Sequence, residues 1–302
     1  MHDIVIIGGG AAGMTAALYA LRANKTVMVL EKNAFGGQIA YSPKVENFPG
    51  VDSMSGNDFA DRLFNQIINL GAEFDIVTAS GILDHATHKT VTTDDGVSYD
   101  ARSVIIATGA KHRHLGVKGE MELAGKGICY CAVCDGDFYR GKKVAMVGGG
   151  NTALQEAIFL SDICEEVTVI QNLDFFTGEE KLVRTLCGRK NVKSVLGAQV
   201  ACIEEKDGAL HGVHIRRENS LEDVLIQIDG LFVAIGLEPE NACFAGIARL
   251  DTYGYIASDE RCLTMTPGVF TAGDCRTKGI RQLTTAVADG TVAAMAACGF
   301  LA

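Results

Sequence analysis

Asp3-Ile4-Val5-Ile6-Ile7-Gly8-Gly9-Gly10-Ala11-Ala12-Gly13 stands at the start of the chain, and the fold turns on whether it is a helix or a strand. The run Ile4-Val5-Ile6-Ile7 is β-branched throughout and suits a buried strand. Each following glycine would cost a helix interior about 1 kcal/mol relative to alanine. The uncharged stretch Ile4–Leu21 touches the lower length limit for a membrane span, but its glycines make it strand, turn and helix instead. No other segment is expected to approach membrane length. Ala11–Ala23 follows as a helix and Thr26–Glu31 as a second strand, which makes a βαβ unit.

The same grammar returns at strand Val144–Val147, turn Gly148-Gly149-Gly150, helix Asn151–Ser161 and strand Val167–Ile170. A supersecondary unit repeated within one chain implies two related domains. A strand ending in Ala107-Thr108-Gly109 closes the first segment, and Phe232-Val233-Ala234-Ile235-Gly236 closes the second in a similar way. The tail beyond Pro239 has its own strand, Val269–Ala272, then Gly273-Asp274 and an apolar helix from Leu283 to Ala297. With that tail returned to the first domain, the expected fold is α/β. Two Rossmann-like three-layer domains are expected, residues 1–112 with 240–302, and residues 115–236 inserted between them.

Composition narrows the function classes. The hydrophobic share is 48% against 21% charged, and 35 Gly stand beside only 4 Pro, which excludes disordered, collagen-like and Pro-rich chains. With 27 Lys+Arg and 37 Asp+Glu the net charge is −10, which argues against nucleic acid or an anionic membrane as the main partner. Ten Cys in 302 residues are too sparse for a disulfide scaffold, and Met1-His2-Asp3 lacks the basic start of a secretory signal. A reducing, cytoplasmic compartment is expected.

Gly8-x-Gly10-x-x-Gly13 follows a strand and opens a helix, with Glu31 at the end of the next strand, the full context of a dinucleotide fingerprint. Gly8 permits the tight turn, Gly10 lets main chain approach a pyrophosphate, and Gly13 lets helix and strand close up. The helix N-terminus supplies amide donors. Glu31 is placed to accept from a ribose, and its charge disfavours a 2′-phosphate, so FAD or NAD is expected rather than NADP.

Cys131-Ala132-Val133-Cys134 is a C-x-x-C pair with Asp135 directly behind it. A zinc site would need a second pair at ligand spacing, but Cys129, Cys164, Cys187, Cys202, Cys243, Cys262, Cys275 and Cys298 are scattered, so no metal is expected. Redox use is expected instead. Thiol–disulfide exchange needs a thiolate to attack and an acid to protonate the departing sulfur, and Asp135 is placed for the second task. Cys129 reads as a small buried hydrophobe, with an auxiliary redox role as the alternative.

Several motifs together resemble the low-molecular-weight flavin thioredoxin reductases over nearly the whole chain. They are Gly8–Gly13, Gly36-Gly37-Gln38-Ile39, Val45-Glu46-Asn47-Phe48-Pro49-Gly50, Ala107-Thr108-Gly109, Cys131–Gly136, Gly148–Ala153, and Gly273-Asp274 followed by Arg281-Gln282. The resemblance implies that the first domain and tail hold FAD, with Asp274 bonded to the flavin side chain. It implies further FAD contacts from Gly8, Gly10, Ala11, Ala12 and Gly13 at the turn, and from Glu31 and Lys32 at the strand end. Gly37, Gln38 and Asn47 follow in the next loops, then Thr108 and Gly109, and in the tail Gly273, Arg281, Gln282 and Leu283. In the insert, of NAD(P)-binding type, it implies that Cys134 faces the flavin, Cys131 attacks the thioredoxin disulfide and Asp135 donates the proton. It implies a homodimer whose small domain rotates, showing the pair in turn to flavin and to thioredoxin.

One stretch departs from the family. NADPH-dependent members end the second βαβ unit with His-Arg-Arg and a further Arg that hold the 2′-phosphate, whereas this chain has Gln171-Asn172-Leu173-Asp174-Phe175-Phe176-Thr177. Each lost charged contact is worth roughly 1.5–3 kcal/mol. NADH would want an acid at the strand end, where Gln171 and Asn172 stand. In this respect the chain is similar to the ferredoxin-dependent branch, which implies ferredoxin as donor and thioredoxin as acceptor. Lys111-His112-Arg113-His114 and Arg140-x-Lys142-Lys143 are the basic clusters that would meet an acidic ferredoxin. An NADPH- or NADH-linked disulfide reductase and a non-enzymatic flavin or thiol redox sensor are the alternatives.

Overall fold

The computed structural model describes residues 1–42, 45–217 and 223–302. The chain divides into two compact units, Met1–Lys111 with Glu238–Ala302, and His112–Leu237.

In the first unit, β1 (His2–Ile7), α1 (Ala11–Arg22) and β2 (Val27–Glu31) form the opening βαβ unit, with Ile6 of β1 beside Val29 of β2 in a parallel ladder. α2 (Gly56–Asn69) begins at Ser55, whose hydroxyl accepts the Asp58 N–H and satisfies an otherwise unpaired donor of the first turn. It leads to β3 (Glu73–Ile76), after which β4 (Ala79–Asp84) and β5 (Lys89–Thr93) pair antiparallel and β6 (Ser98–Ile106) returns to the centre. The sheet order is β3-β2-β1-β6-β5-β4. Alternate residues serve opposite faces, as the two-residue strand period requires. Ile4, Ile6, Val27 and Val29 face the helical layer, while Val5, Ile7, Met28 and Leu30 face a second core with Val91 and Phe244. β7 (Lys111–His112) stands at the end of this segment.

The second unit starts with β8 (Ile128–Cys129) and the short α3 (Ala132–Asp135). Its own βαβ unit follows in β9 (Lys143–Val147), α4 (Asn151–Ile163) and β10 (Glu166–Gln171), then α5 (Glu180–Cys187) and β11 (Val192–Leu196). β12 (Ala198–Lys206), β13 (Ala209–Arg217) and β14 (Val224–Gln227) make a separate antiparallel sheet, and β15 (Gly230–Val233) completes the parallel one in the order β11-β10-β9-β15-β8. Val144, Met146, Val167 and Val169 pack under α4, while Ala145, Val147 and Ile170 pack against Val200, Val213 and Ile215 of the antiparallel sheet. The unit therefore has three layers of helix, parallel sheet and antiparallel sheet.

After β16 (Leu237–Glu238) the tail adds β17 (Val269–Thr271) to the first unit, parallel to the C-terminal half of β6 with Phe270 beside Ile105, and ends in α6 (Leu283–Phe300). Here the expectation about membrane-length segments needs correcting. α6 is 18 residues long and apolar enough to cross a membrane by length and composition. Its apolarity has a local cause. Ala293, Ala294 and Ala297 are buried in the same core as α1, and Asp289, the sole charged residue of the helix sequence, is ion-paired to Arg276 and Lys278. Gly290 lets α6 lie directly on α1, since a Cβ there would collide with the Ala12 carbonyl oxygen.

The same substitution at two glycines of α6 is expected to act with opposite sign. Gly290→Ala should lose about 1–3 kcal/mol through overpacking. Gly299→Ala, where nothing lies within 4 Å, should gain up to about 1 kcal/mol from helix propensity. Denaturant midpoints check both, and equal midpoints for the two variants would contradict the α1–α6 contact.

Candidate functional site

The first unit gathers its candidate cofactor residues at the C-terminal ends of its parallel strands. β1 stops at Ile7 and the chain turns at Gly8, whose φ of +110° and closeness to the Ala107 carbonyl leave no room for a side chain. Gly13 rests on the Gly8 carbonyl, so the first turn of α1, with Ala11 and Ala12, is drawn onto the strand end. Glu31, at the end of β2, is 9% exposed and accepts the N–H of Gly9 at 2.7 Å and of Asn33 at 3.0 Å. Both oxygens are thus already held by main chain, a stitch that spacing alone did not reveal, and each keeps a further lone pair. The Gly36 N–H donates to the Gly9 carbonyl at 2.9 Å, bringing the exposed Gly37 and Gln38 beside Gly10. Lys32 forms an ion pair with Glu240, which also takes Lys111 at 2.8 Å.

The tail supplies the opposite wall. The Thr108 hydroxyl donates to Asn241 at 2.9 Å, next to Gly109 with φ +71°. Asn47 donates to the Gln282 side chain at 3.3 Å, and Gln282 caps α6 just before Leu283. The Arg281 guanidinium stacks on Tyr255, 4.1 Å from the ring centre, and its Nε donates to the Asp274 carbonyl at 3.4 Å. Burial pushes the Asp274 carboxyl upward, against the pull of Lys278 and Arg281, and its enclosed Oδ1 has no hydrogen-bond partner. A carboxylate oxygen that faces Lys278 at 3.9 Å but has no hydrogen bond among the described residues, beside a glycine turn and a helix N-terminus, fits the hydroxyls and pyrophosphate of FAD.

Spacing also missed what holds that turn. Asp289 of α6 accepts the Gly273 N–H at 3.0 Å, two Arg276 bonds at 2.8 and 2.7 Å, and Lys278 at 2.9 Å. Burial would raise Asp289, but the two cations outweigh it and hold the carboxyl below its ordinary range. A lone charge in an apolar helix was the available clue.

In the second unit, the structure brings together the three expected catalytic residues. Cys131 precedes α3 and its sulfur accepts the Cys134 N–H at 3.2 Å, the two being joined as a disulfide. α3 packs on α4. Burial pushes Asp135 up to about 6, opposed by the Cys129 thiol, and its enclosed Oδ1 has no partner of ordinary hydrogen-bond geometry. Burial likewise pushes Glu156 of α4 up to about 7, opposed by the Ala132 N–H. The other eight cysteines, Cys129 included, are free.

The second glycine turn keeps the geometry of the first but not its surroundings. Gly148 has φ +135° and sits against the Ala234 carbonyl, as Gly8 sits against Ala107. At the position of Glu31, however, stands Gln171, 5% exposed, with its amide lying over Gly149 and donating to the Phe175 carbonyl at 3.4 Å. The Thr177 and Gly178 N–H groups both close onto the Gly149 carbonyl. Asn151, first in α4, binds Glu179 through both its oxygen, at 2.7 Å, and its amide, at 3.2 Å. The main chain at Gly178 and Glu179 thus lies against the helix N-terminus.

Several members of the two basic clusters have partners within their own unit. Lys111 is paired with Glu240, and burial lowers His112 to about 4, so it is uncharged at neutral pH. His114 bonds the Tyr130 hydroxyl at 3.0 Å. Arg140 pairs with Asp137, Lys143 with Glu165, and Lys142 lies over the Tyr139 ring.

The sequence signature of the pyridine nucleotide-disulphide oxidoreductases matches residues 2–290. The thioredoxin reductase of Listeria monocytogenes is 37% identical over 293 residues, covering 97% of this chain and 92% of the relative. A protein named for its place in the rubredoxin operon of Clostridium pasteurianum is 39% identical over 295 residues, covering 98% and 96%. The crystal structure of thioredoxin reductase from Streptococcus pyogenes superposes with a TM-score of 0.94 at 36% identity, covering 100% of this chain and 98% of that one. The chain belongs to the pyridine nucleotide-disulphide oxidoreductase family and, within it, to the thioredoxin reductases, FAD-dependent disulfide oxidoreductases of low molecular weight.

Proposed function

We propose that this chain, as a homodimer in a reducing, cytoplasmic compartment, reduces thioredoxin through the Cys131–Cys134 disulfide, with ferredoxin as the electron donor. Eight free thiols support the reducing compartment. FAD, when bound, supplies the two electrons that open the disulfide. Gly8, Gly10 and Gly13, the N-terminus of α1 at Ala11 and Ala12, Glu31 and Asp274 would hold it, with Lys32, Gly37, Gln38, Asn47, Thr108, Gly109, Gly273, Arg281, Gln282 and Leu283 completing the rim.

The reduced pair then works by exchange. The Cys131 thiolate attacks one sulfur of the thioredoxin disulfide, a new S–S bond forms, and the old one breaks with its electron pair on the departing sulfur. Asp135, raised to about 6 by burial, gives that sulfur its proton. Cys134 then attacks Cys131, the internal disulfide re-forms, and the second thioredoxin sulfur leaves with the proton that Cys134 gives up.

The donor assignment rests on one observation, the Gln171–Glu179 segment folded over the second glycine turn. A nicotinamide dinucleotide would need its pyrophosphate at the α4 N-terminus, against which the main chain at Gly178 and Glu179 already lies, and a 2′-phosphate would meet Asp174 and no cation between residues 171 and 179. A one-electron carrier needs only a small docking contact. Pairing at Lys111, Arg140 and Lys143 weakens the electrostatic guide that the basic clusters offer. The retained Gly148 turn favours the second reading, an NADH- or NADPH-linked reductase.

Heat-released cofactor is expected to be FAD at one per chain, and Asp274→Ala should weaken its retention by about 10–100-fold, the worth of a charged hydrogen bond. FMN in the supernatant would contradict this. Cys131→Ser and Cys134→Ser should each abolish thioredoxin reduction with FAD retained, and Asp135→Asn should slow exchange by about 10²–10⁴-fold. Wild-type turnover in either serine variant would sink the mechanism, whereas no thioredoxin turnover by the unaltered chain with any donor would leave the redox-sensor alternative. In stopped flow, NADPH and NADH should bleach the flavin slowly or not at all, while reduced ferredoxin supports turnover. Rapid, saturable bleaching by either nucleotide, with none by ferredoxin, reverses the donor assignment.

A further inference from the structure

Asp274 has a counter-charge that the chemistry above does not use. Asp289 on α6 is already filled: its Oδ2 accepts the Gly273 N–H at 3.0 Å, the Arg276 Nε at 2.8 Å and the Lys278 Nζ at 2.9 Å, and its Oδ1 accepts a second Arg276 nitrogen at 2.7 Å. Arg276 engages both oxygens and by itself balances the carboxylate charge. The Lys278 charge is therefore surplus, and its side chain is only 7% exposed, too enclosed for water alone to solvate an ammonium. Asp274 is the second acid within its reach, with Oδ1 at 3.9 Å from the same nitrogen. Among the described residues no other cation pairs with that carboxylate. Arg281 directs its Nε to the Asp274 carbonyl and a terminal nitrogen to the Arg276 carbonyl, both at 3.4 Å, and lays its face on Tyr255.

We propose that Lys278 is a positioning residue for the cofactor contact: pinned by Asp289, its ammonium holds the Asp274 carboxylate in place and leaves Oδ1 open to accept a hydroxyl of FAD. This rests on the assignment of Asp274 as an FAD contact. A separation of 3.9 Å is too long for a hydrogen bond, so the ammonium attracts the carboxylate without occupying its lone pairs. Oδ1 accordingly stays an enclosed acceptor with no hydrogen-bond partner. The Asp289 carboxylate that pins Lys278 also holds the N–H of Gly273, the residue before Asp274. Main chain and counter-charge of the contact thus share one anchor on α6.

The sign follows from the charges around Asp274. Burial raises its pKa, Lys278 and Arg281 pull it down, and Asp289 pushes it up. Cys275, next in the chain, is itself pushed up by burial and stays neutral. Removing the Lys278 charge takes away one of the two pulls and uncovers Asp289, which keeps its Arg276 bonds and its own charge, so both changes raise Asp274. A protonated Asp274 loses acceptor capacity for a hydroxyl. FAD retention therefore falls as pH falls through the Asp274 pKa, and loss of Lys278 moves that fall to higher pH.

The test follows FAD release from the diluted holoenzyme by flavin fluorescence, in buffers from about pH 4 to 8, a range that brackets a raised carboxyl. Lys278→Met is expected to move the acid limb of FAD retention up by about 1–3 pH units, the usual effect of one close opposite charge. Lys278→Arg keeps the charge and should return the limb to the wild-type position. Lys278→Gln, which can still donate to Asp289, should move the limb as Lys278→Met does, and it carries the test if Lys278→Met does not fold. Asp274→Asn should remove the limb. If Asp274→Asn removes it but the neutral Lys278 variants weaken FAD equally at every pH and leave the limb in place, Lys278 is only scaffolding: the positioning role is overturned and the Asp274 contact stands. If Asp274→Asn leaves both the limb and FAD retention unchanged, the Asp274 contact fails and takes this proposal with it.

Discussion

Main-chain contact at the glycine turns governs both units. Gly8 touches the Ala107 carbonyl and Gly13 the Gly8 carbonyl, so α1 starts directly over the strand end, and Gly148 does the same against Ala234 for α4. A methyl group at any of these points would push helix from sheet. The contact fixes where the helix N-terminus points and, with it, where amide donors and the positive end of the helix dipole face a ligand. The end of the following strand lies beside the same turn, so residues 31 and 171 are set over it by the fold itself. Everything chemical in the first unit, from the Glu31 stitch to the Asp274 carboxyl across from it, is referred to that fixed frame.

The two turns show that the frame is not the binding energy. In the first, an acid at position 31 holds Gly9 and leaves the helix N-terminus clear. In the second, the amide of Gln171 fills the space over Gly149 and Glu179 sits on Asn151 at the helix start. The backbone conformations match closely, yet one turn offers an anion site and the other is covered by the main chain of residues 177–179. Packing selects the glycines whether or not a dinucleotide binds, so the fold survives while the rim decides the ligand.

That division explains what the sequence disclosed. The strands were legible because parallel strands buried on both faces read as apolar runs, and the turns because only glycine tolerates the contacts at Gly8 and Gly148. The redox pair was legible from its two-residue spacing. Partners distant along the chain were not. Lys111 looked like a free cation until Glu240 met it, and Asp289, though conspicuous as a lone charge in an apolar helix, did not disclose that its partners are Gly273, Arg276 and Lys278. α6 runs to Phe300 rather than Ala297, and its apolar composition does not distinguish a core helix from a membrane span, because alanines buried against α1 have the same hydropathy as alanines facing lipid.

Around the disulfide, one physical cause yields two opposite chemical outcomes. Packing α3 on α4 and β8 removes water, and removal of water disfavours every charged form. For the carboxyl of Asp135 that means a rise to about 6, near enough to neutrality for a proton to be given and recovered. For the thiol of Cys129 it means a rise to about 12, which silences a sulfur that would otherwise compete with Cys131 and Cys134. An acid made usable and a nucleophile made inert need no separate devices, because a group that starts far below neutrality and one that starts above it are moved the same way. The cost is a buried carboxylate oxygen without a hydrogen-bond partner among the described residues, and a cation in its place would pair the acid and hold it ionised, which would remove the proton it has to give.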